Sequence, residues 1–219
     1  MNTESLLDHF VYVVPALAAG SGALGEALGL VPTDGGAHPH SGTANTLLSL
    51  GTKQYLEVLG PNAKLARDRL AGLGAYIAGL AEPDVLTFAM GSCNLDAVAR
   101  TAAELGLATT ALETNSRRTP AGDLLQWQGM HLRSAEYRGL VPFFIDWLDS
   151  RHPAETSAQG AELASMYVAH PVPAPLRTLY ARLGIRIPVV HGSRPGIVAT
   201  LRHGSREFVL LGSGCGLPG

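Results

Sequence analysis

The sequence predicts an α+β fold in which repeated βαβββ units form a curved mixed β-sheet around a cleft. Three observations lead there. The pentapeptides "EALGL", "AELGL" and "ARLGI" place glycines at Gly29, Gly106 and Gly184, in steps of 77 and 78 residues. Each closes a helical stretch that follows a strand-like run: "HFVYVVP", "LTFAMGS" and "SMYVAHP". Each is followed by extended segments broken by Gly and Pro.

The first strand-like run opens with Asp8 and His9 and ends at Pro15. The helix after it is rich in Gly and Ala and carries a weak stripe of Leu17, Leu24 and Leu28. A glycine just past its last apolar turn suits a left-handed C-cap, as do the glycines of the other two helices. "LVPTDGG", "TANTLLSL" and "QYLEVLG" complete the first unit. "AKLARDRLAGLGAYIAGL" reads as a linker helix.

In the second unit, Leu95, Val98, Ala99, Ala102 and Leu105 share a helix face. "LATTALE", "DLLQWQGM" and "PFFIDWL" follow as strands. After the short linker "HPAETSAQGAE", the third unit offers a helix with Leu176, Leu179, Tyr180 and Leu183 on one side. Its strands are "IRIPVVHG", "GIVATL" and "REFVLLG". The expected organisation is a paired domain over 1–153, with units at about 6–60 and 84–149, and a shorter third unit over 160–214. The third unit is expected to pack on the pair or to mediate a homodimer.

The chain has 219 residues, 46% hydrophobic and 16% charged, enough to bury a real core. A net charge of −2 with no long basic run argues against nucleic acid as a partner. No apolar run approaches a membrane span, and "MNTESLLDHF" lacks the basic start of a signal peptide. Two cysteines in no motif suit a reducing compartment, so a cytoplasmic location is expected.

Several side chains could carry chemistry. In "HPHSGTAN", His38 and His40 flank a proline; the spacing suits a metal, a solvated turn is the bland alternative, and His38 is the one of the two expected to contact substrate. Asn45 lies on the strand beyond, where its amide could bond a substrate carbonyl or neighbouring backbone. In "LLQWQGMH", Trp127 could form a stacking wall for a small-molecule ligand or simply pack in the core.

The βαβββ repeat, with "LDHFVYVVPAL", "GGAHPHSGTANTLLSLGTKQYLEVLG" and "TPAGDLLQWQG…GLVPFFIDWLDSRHP", resembles the vicinal oxygen chelate superfamily of glyoxalase I, extradiol dioxygenases and bleomycin-resistance proteins. The nearest likeness is to its glyoxalase-like branch, over roughly Leu6 to Pro153. That resemblance implies metal ligands on the first and last strands of each unit. Carried over, these positions are His9 and Glu57 in the first unit, and Thr87 and Asp146 in the second, the last with a one-residue offset. His9, Glu57 and Asp146 are the expected ligands of a divalent ion such as Zn, Mn, Fe or Ni. Glu57 would also move a proton next to a carbonyl. The resemblance thus implies a metal-dependent lyase/isomerase or dioxygenase acting on a small oxygenated molecule. The alternative is a metal-free small-molecule binding protein of the antibiotic-sequestering kind, favoured by Thr87 where a ligand is due. On that reading His9, beside Asp8, is hydrogen-bonded near a surface or to Glu57 with no ion.

Overall fold

The computed structural model describes residues 6–38, 40–119 and 122–216. The first unit runs β1 (Leu6–Val13), α1 (Leu17–Leu28), β2 (Thr33–His38), β3 (Thr43–Gly51) and β4 (Gln54–Pro61). A short helix, α2 (Gly72–Ala78), leads into the second unit. That unit comprises β5 (Asp84–Gly91), α3 (Leu95–Glu104), β6 (Ala108–Thr109), β7 (Glu113–Arg118), β8 (Leu124–Arg133) and β9 (Phe143–Asp146). The third unit is β10 (Glu162–His170), α4 (Pro173–Arg182), β11 (Val189–His191), β12 (Gly196–His203) and β13 (Arg206–Gly212). No helix among the described residues is long and apolar enough to cross a membrane.

The expected α+β architecture with a curved mixed sheet is present. Nine strands form one sheet in the order β2-β3-β4-β1-β5-β9-β8-β6, with β7 paired to β8. β1 runs parallel to β4 and β5 parallel to β9, while β1 and β5 pair antiparallel at the centre. The two units are thus related by a quasi-twofold axis through the pair Phe10–Phe88. Gly29, Gly106 and Gly184 all take left-handed φ, at 70°, 70° and 71°, as the helix-ending pentapeptides require. The expected linker helix is shorter than its sequence suggests. Ala71 is extended, with φ −134° and ψ 167°, and only Gly72–Ala78 continue as helix.

One core lies on the outer face of this sheet. Phe10, Phe88, Met90 and Phe144 pack there against Leu24 and Leu28 of α1 and Val98 of α3. The third unit joins the same core through Met166, Val168, Leu176, Tyr180, Ile197 and Leu201. The Tyr180 hydroxyl donates to the Leu140 carbonyl, fastening the third unit to the second. Burial of this kind supplies the main stabilisation, about 1.5–3 kcal/mol for each large apolar side chain. The inner face is left to polar side chains at its centre and is capped at two ends. Ile77 of α2 packs on Val11, Val13, Leu59 and Leu86, and Ala154 packs on Leu47 and Tyr55.

Candidate active site

β1 supplies the core of the site through an irregularity. Its pairing with β5 slips between Leu7 and His9, leaving Asp8 as the extra residue of a β-bulge. Strict alternation would send Asp8 and His9 to opposite faces. The bulge instead brings them side by side, with His9 Nδ1 2.6 Å from Asp8 Oδ1. Both are buried.

Asp8 accepts from two further donors. The Trp147 indole N–H donates to both its oxygens, at 3.1 and 3.3 Å, and His152 Nε2 donates to Oδ2 at 3.1 Å. His152 Nδ1 accepts the Ala154 amide, so its proton resides on Nε2. Burial pushes the Asp8 carboxyl up, but hydrogen bonds from His152 and His9, aided by their charge, carry it below its ordinary value. An ionised Asp8 accepts only, which places the His9 proton on Nδ1 and leaves Nε2 as the open ring nitrogen. Among the described residues Nε2 has no hydrogen-bond partner.

The His9 ring is held between aromatic neighbours. It stacks on Tyr55, with centroids 4.5 Å apart, and meets the edge of Phe143 at 5.3 Å. Burial and the negative charges of Asp8 and Glu57 push the Tyr55 phenol well above its usual range, against the opposing pull of Arg117. Tyr55 therefore stays protonated, and its hydroxyl has no partner among the described residues. Two residues along β4, Glu57 shares this face and accepts the Asn45 side-chain amide at 2.6 Å. Asn45 Oδ1 is buried with no hydrogen-bond partner among the described residues.

A second bulge closes the cup. The pairing of β2 with β3 slips between Asp34 and Gly36. Gly35 is the extra residue, and its carbonyl accepts the Arg117 guanidinium from β7. A Cβ at Gly35 would fall on Asn45 Oδ1 and within 3.0 Å of Leu47 Cγ. Gly35→Ala is therefore expected to displace the Asn45–Glu57 pair and to destabilise the fold by about 1–3 kcal/mol. Gly22→Ala is the matched control: it meets nothing within 4 Å in a helix interior, so it should gain about 0.5–1 kcal/mol. Urea unfolding of both variants checks the opposite signs.

Of the residues expected from sequence, His9, Asn45 and Glu57 converge on this inner face. His38 lies beside them at the end of β2, its Nδ1 3.2 Å from Thr43 Oγ1 and its ring within the field of Glu57 and Arg117. His40 lies in an exposed turn. Trp127 faces Trp147, centroids 5.5 Å apart, and belongs to the second unit's wall. Asp146 stands apart from this group. Phe10 pairs with Phe88, so His9 corresponds to Thr87 and Val11 to Ala89. Val11 is beside Glu57 and Ala89 is beside Phe143, so Phe143 stands at the position opposite Glu57. Asp146 falls on the other face, and its carboxylate accepts the Leu148 amide.

A family model described as a glyoxalase-like domain matches residues 7–184. The chain belongs to the glyoxalase-like family. Its resemblance to the glyoxalase-like branch of the vicinal oxygen chelate superfamily holds. A hypothetical protein from Staphylococcus aureus superposes with a TM-score of 0.64 at 16% identity, covering 98% of this chain and 86% of that one. Methylmalonyl-CoA epimerase from Mycobacterium tuberculosis gives 0.47 at 16%, covering 68% and 92%. A hypothetical protein from Bacillus halodurans C-125 gives 0.47 at 19%, covering 67% and 96%. At these identities the likeness is one of fold. No curated protein gives a significant match.

The glyoxalase-like cup offers two ligand-type side chains at its four equivalent positions: His9 and Glu57, against Thr87 and Phe143. Glu57 already holds an amide, and Phe143 carries no donor atom. Among the described residues no group of three His, Cys, Asp or Glu side chains is placed to hold a metal ion. These residues do not fit a chelate centre shared by both units.

Acid should act on this interior in two steps. Burial pushes His38 and His131 below their ordinary value of 6.5; Arg117 and Arg133 act the same way, and Glu57 and Glu113 oppose. Each then binds fewer protons folded than unfolded, so stability falls as pH drops below about 6.5 through the folded values. The stability from ionised Asp8 is present above its unfolded value near 3.8 and lost below it, as pH falls through the lowered folded value. Melting temperature against pH should show both windows, and His131→Gln should shrink only the upper one.

Proposed function

We propose that this glyoxalase-like protein is a lyase or isomerase that moves a proton at a carbon next to a carbonyl in a small oxygenated substrate. The observation that carries this reading is the buried Asp8–His9 pair, whose outward nitrogen shares an inner face with Tyr55 and Glu57. His9 Nε2 takes the proton from carbon, and the imidazolium formed is stabilised by ionised Asp8. The protonated Tyr55 phenol donates to the oxygen where negative charge develops. The Arg117 guanidinium adds positive charge on the same side. The His9 imidazolium then returns its proton to a different carbon of the conjugated anion, which yields an isomer; loss of a leaving group from the adjacent carbon instead yields a lyase product, the His9 proton passing to the departing group. No step needs a metal.

The competing reading keeps the ion. A divalent cation would have to rest on His9 and Glu57, with water filling the other positions. Both readings can be tried at once by proton NMR in D₂O with chelator-treated protein and a panel of 2-oxo and 3-oxo acids. Exchange of the hydrogen next to the carbonyl without added metal, lost in His9→Gln, supports the proposal. Exchange that appears only after Mn²⁺, Zn²⁺, Fe²⁺ or Ni²⁺ is restored overturns it. Binding of panel members without exchange favours the sequestering alternative.

A further inference from the structure

A cavity of about 650 Å³ occupies the second unit's half of the cup. Thr87, Phe143, Arg133 and Arg138 are among the residues that line it. It adjoins the His9 site through an aromatic row: His131 stacks on Phe143 at 4.8 Å, and Phe143 meets the His9 ring. Its size is that of a pocket for an extended small molecule, well beyond a single reacting carbonyl.

The charge on this wall is one-sided. No Asp or Glu is among the described residues that line the cavity. Neither the Arg133 nor the Arg138 guanidinium has a hydrogen-bond or ion-pair partner among the described residues. Arg202, by comparison, is paired with Glu207. Arg138 is also held in an unusual backbone state, with φ 46°. That left-handed conformation is disfavoured for a residue with a side chain and persists only where the surroundings enforce it. They do so here: the Arg138 amide donates to Ser134 O, and the Gly139 amide donates to Gly214 O. Any Cβ at Gly139 would collide with the Leu86 carbonyl and with Gly216. The segment after the third unit thus locks the turn that presents Arg138.

We propose that this cavity is an oxyanion subsite, in which Arg133 and Arg138 grip a carboxylate or phosphate at the far end of an elongated substrate. The proposal rests on the proton-transfer reading for where the near end lies, but not for its own binding. Planar guanidiniums suit both oxyanions, since each presents paired N–H donors to two oxygens. The substrate class is then an acid or phosphoester with a carbonyl at the opposite end.

The test is NMR titration of the intact chain with inorganic phosphate and, separately, succinate, at constant ionic strength. Saturable binding of either is expected. It should weaken at least about tenfold in the Arg133→Gln/Arg138→Gln double variant and stay unchanged in Arg202→Gln. Tighter phosphate assigns a phosphoester tail, and tighter succinate a carboxylate tail. His9→Gln should keep full affinity, so a failure of the proton-transfer reading leaves this result standing. No saturable binding of either anion, or affinity indifferent to the double variant, overturns the subsite. So does loss of binding in His9→Gln, which would place the anion at the reacting centre. Both arginines are exposed, and unchanged melting temperatures confirm that the variants remain folded.

Discussion

Asp8→Ala is expected to destabilise the fold by about 3–5 kcal/mol, the largest effect of any single substitution in the cup. Asp8 is buried and is the common acceptor for His9, His152 and Trp147. Removing it strands three donors in a buried environment. It also releases His152, which ties the segment after β9 to β1. Asp8→Asn separates this structural role from the chemical one. An amide of the same shape keeps most of the packing, so its loss of stability should be smaller. Its oxygen can serve only part of the donor set, and its N–H₂ confronts a ring nitrogen that must then accept. The His9 tautomer is no longer enforced, and turnover should fall by roughly 10²–10⁴. Urea unfolding reads the first variant, and the D₂O exchange rate reads the second.

His9→Gln should have the largest effect on chemistry, lowering the exchange rate by about 10³ or more with the melting temperature little changed. Gln can still bond Asp8, so the buried carboxylate keeps a donor, but it cannot carry a proton near neutral pH. Tyr55→Phe leaves the stacked ring beside His9 in place and removes only the hydroxyl. Its expected loss is about 10²–10³, in the rate and not in substrate affinity, because the oxygen it serves becomes charged only in the transition state. Comparable losses in affinity and rate for both variants would mean that they bind ligand without reacting.

Much of this was legible in the sequence, and the exceptions have physical causes. The three "LG" pentapeptides carry their structural meaning locally, because a left-handed helix end needs glycine whatever packs around it. The alternation along β1 and β4 likewise puts His9 and Glu57 on one face from the chain alone. Asp8 was hidden because a bulge breaks the period-two rule, and nothing in "LLDHF" signals one. His152 opens the linker "HPAETSAQGAE", where nothing marks it for the site; its role comes from a contact across 144 residues. Arg117 sits in an otherwise exposed strand and becomes part of the cup only because the bulged Gly35 frees a carbonyl for it. The exchange of Asp146 for Phe143 is a matter of register. "PFFIDWL" can slide along its neighbour without changing its apolar character, and only the pairing of Ala89 with Phe143 fixes it.

The most direct test of the reacting centre is the long-range ¹H–¹⁵N spectrum of imidazole-labelled protein at pH 8.5, with and without one equivalent of Zn²⁺. An ordinary imidazole is neutral at that pH, so the spectrum reports which nitrogen holds the proton. His9→Gln assigns the signals. The expected result is a protonated Nδ1 with a downfield proton, reflecting the 2.6 Å bond to Asp8, and an unprotonated Nε2 that Zn²⁺ leaves in place. A proton on Nε2, or an Nε2 signal that shifts stoichiometrically with Zn²⁺, would contradict a metal-free Asp8–His9 base.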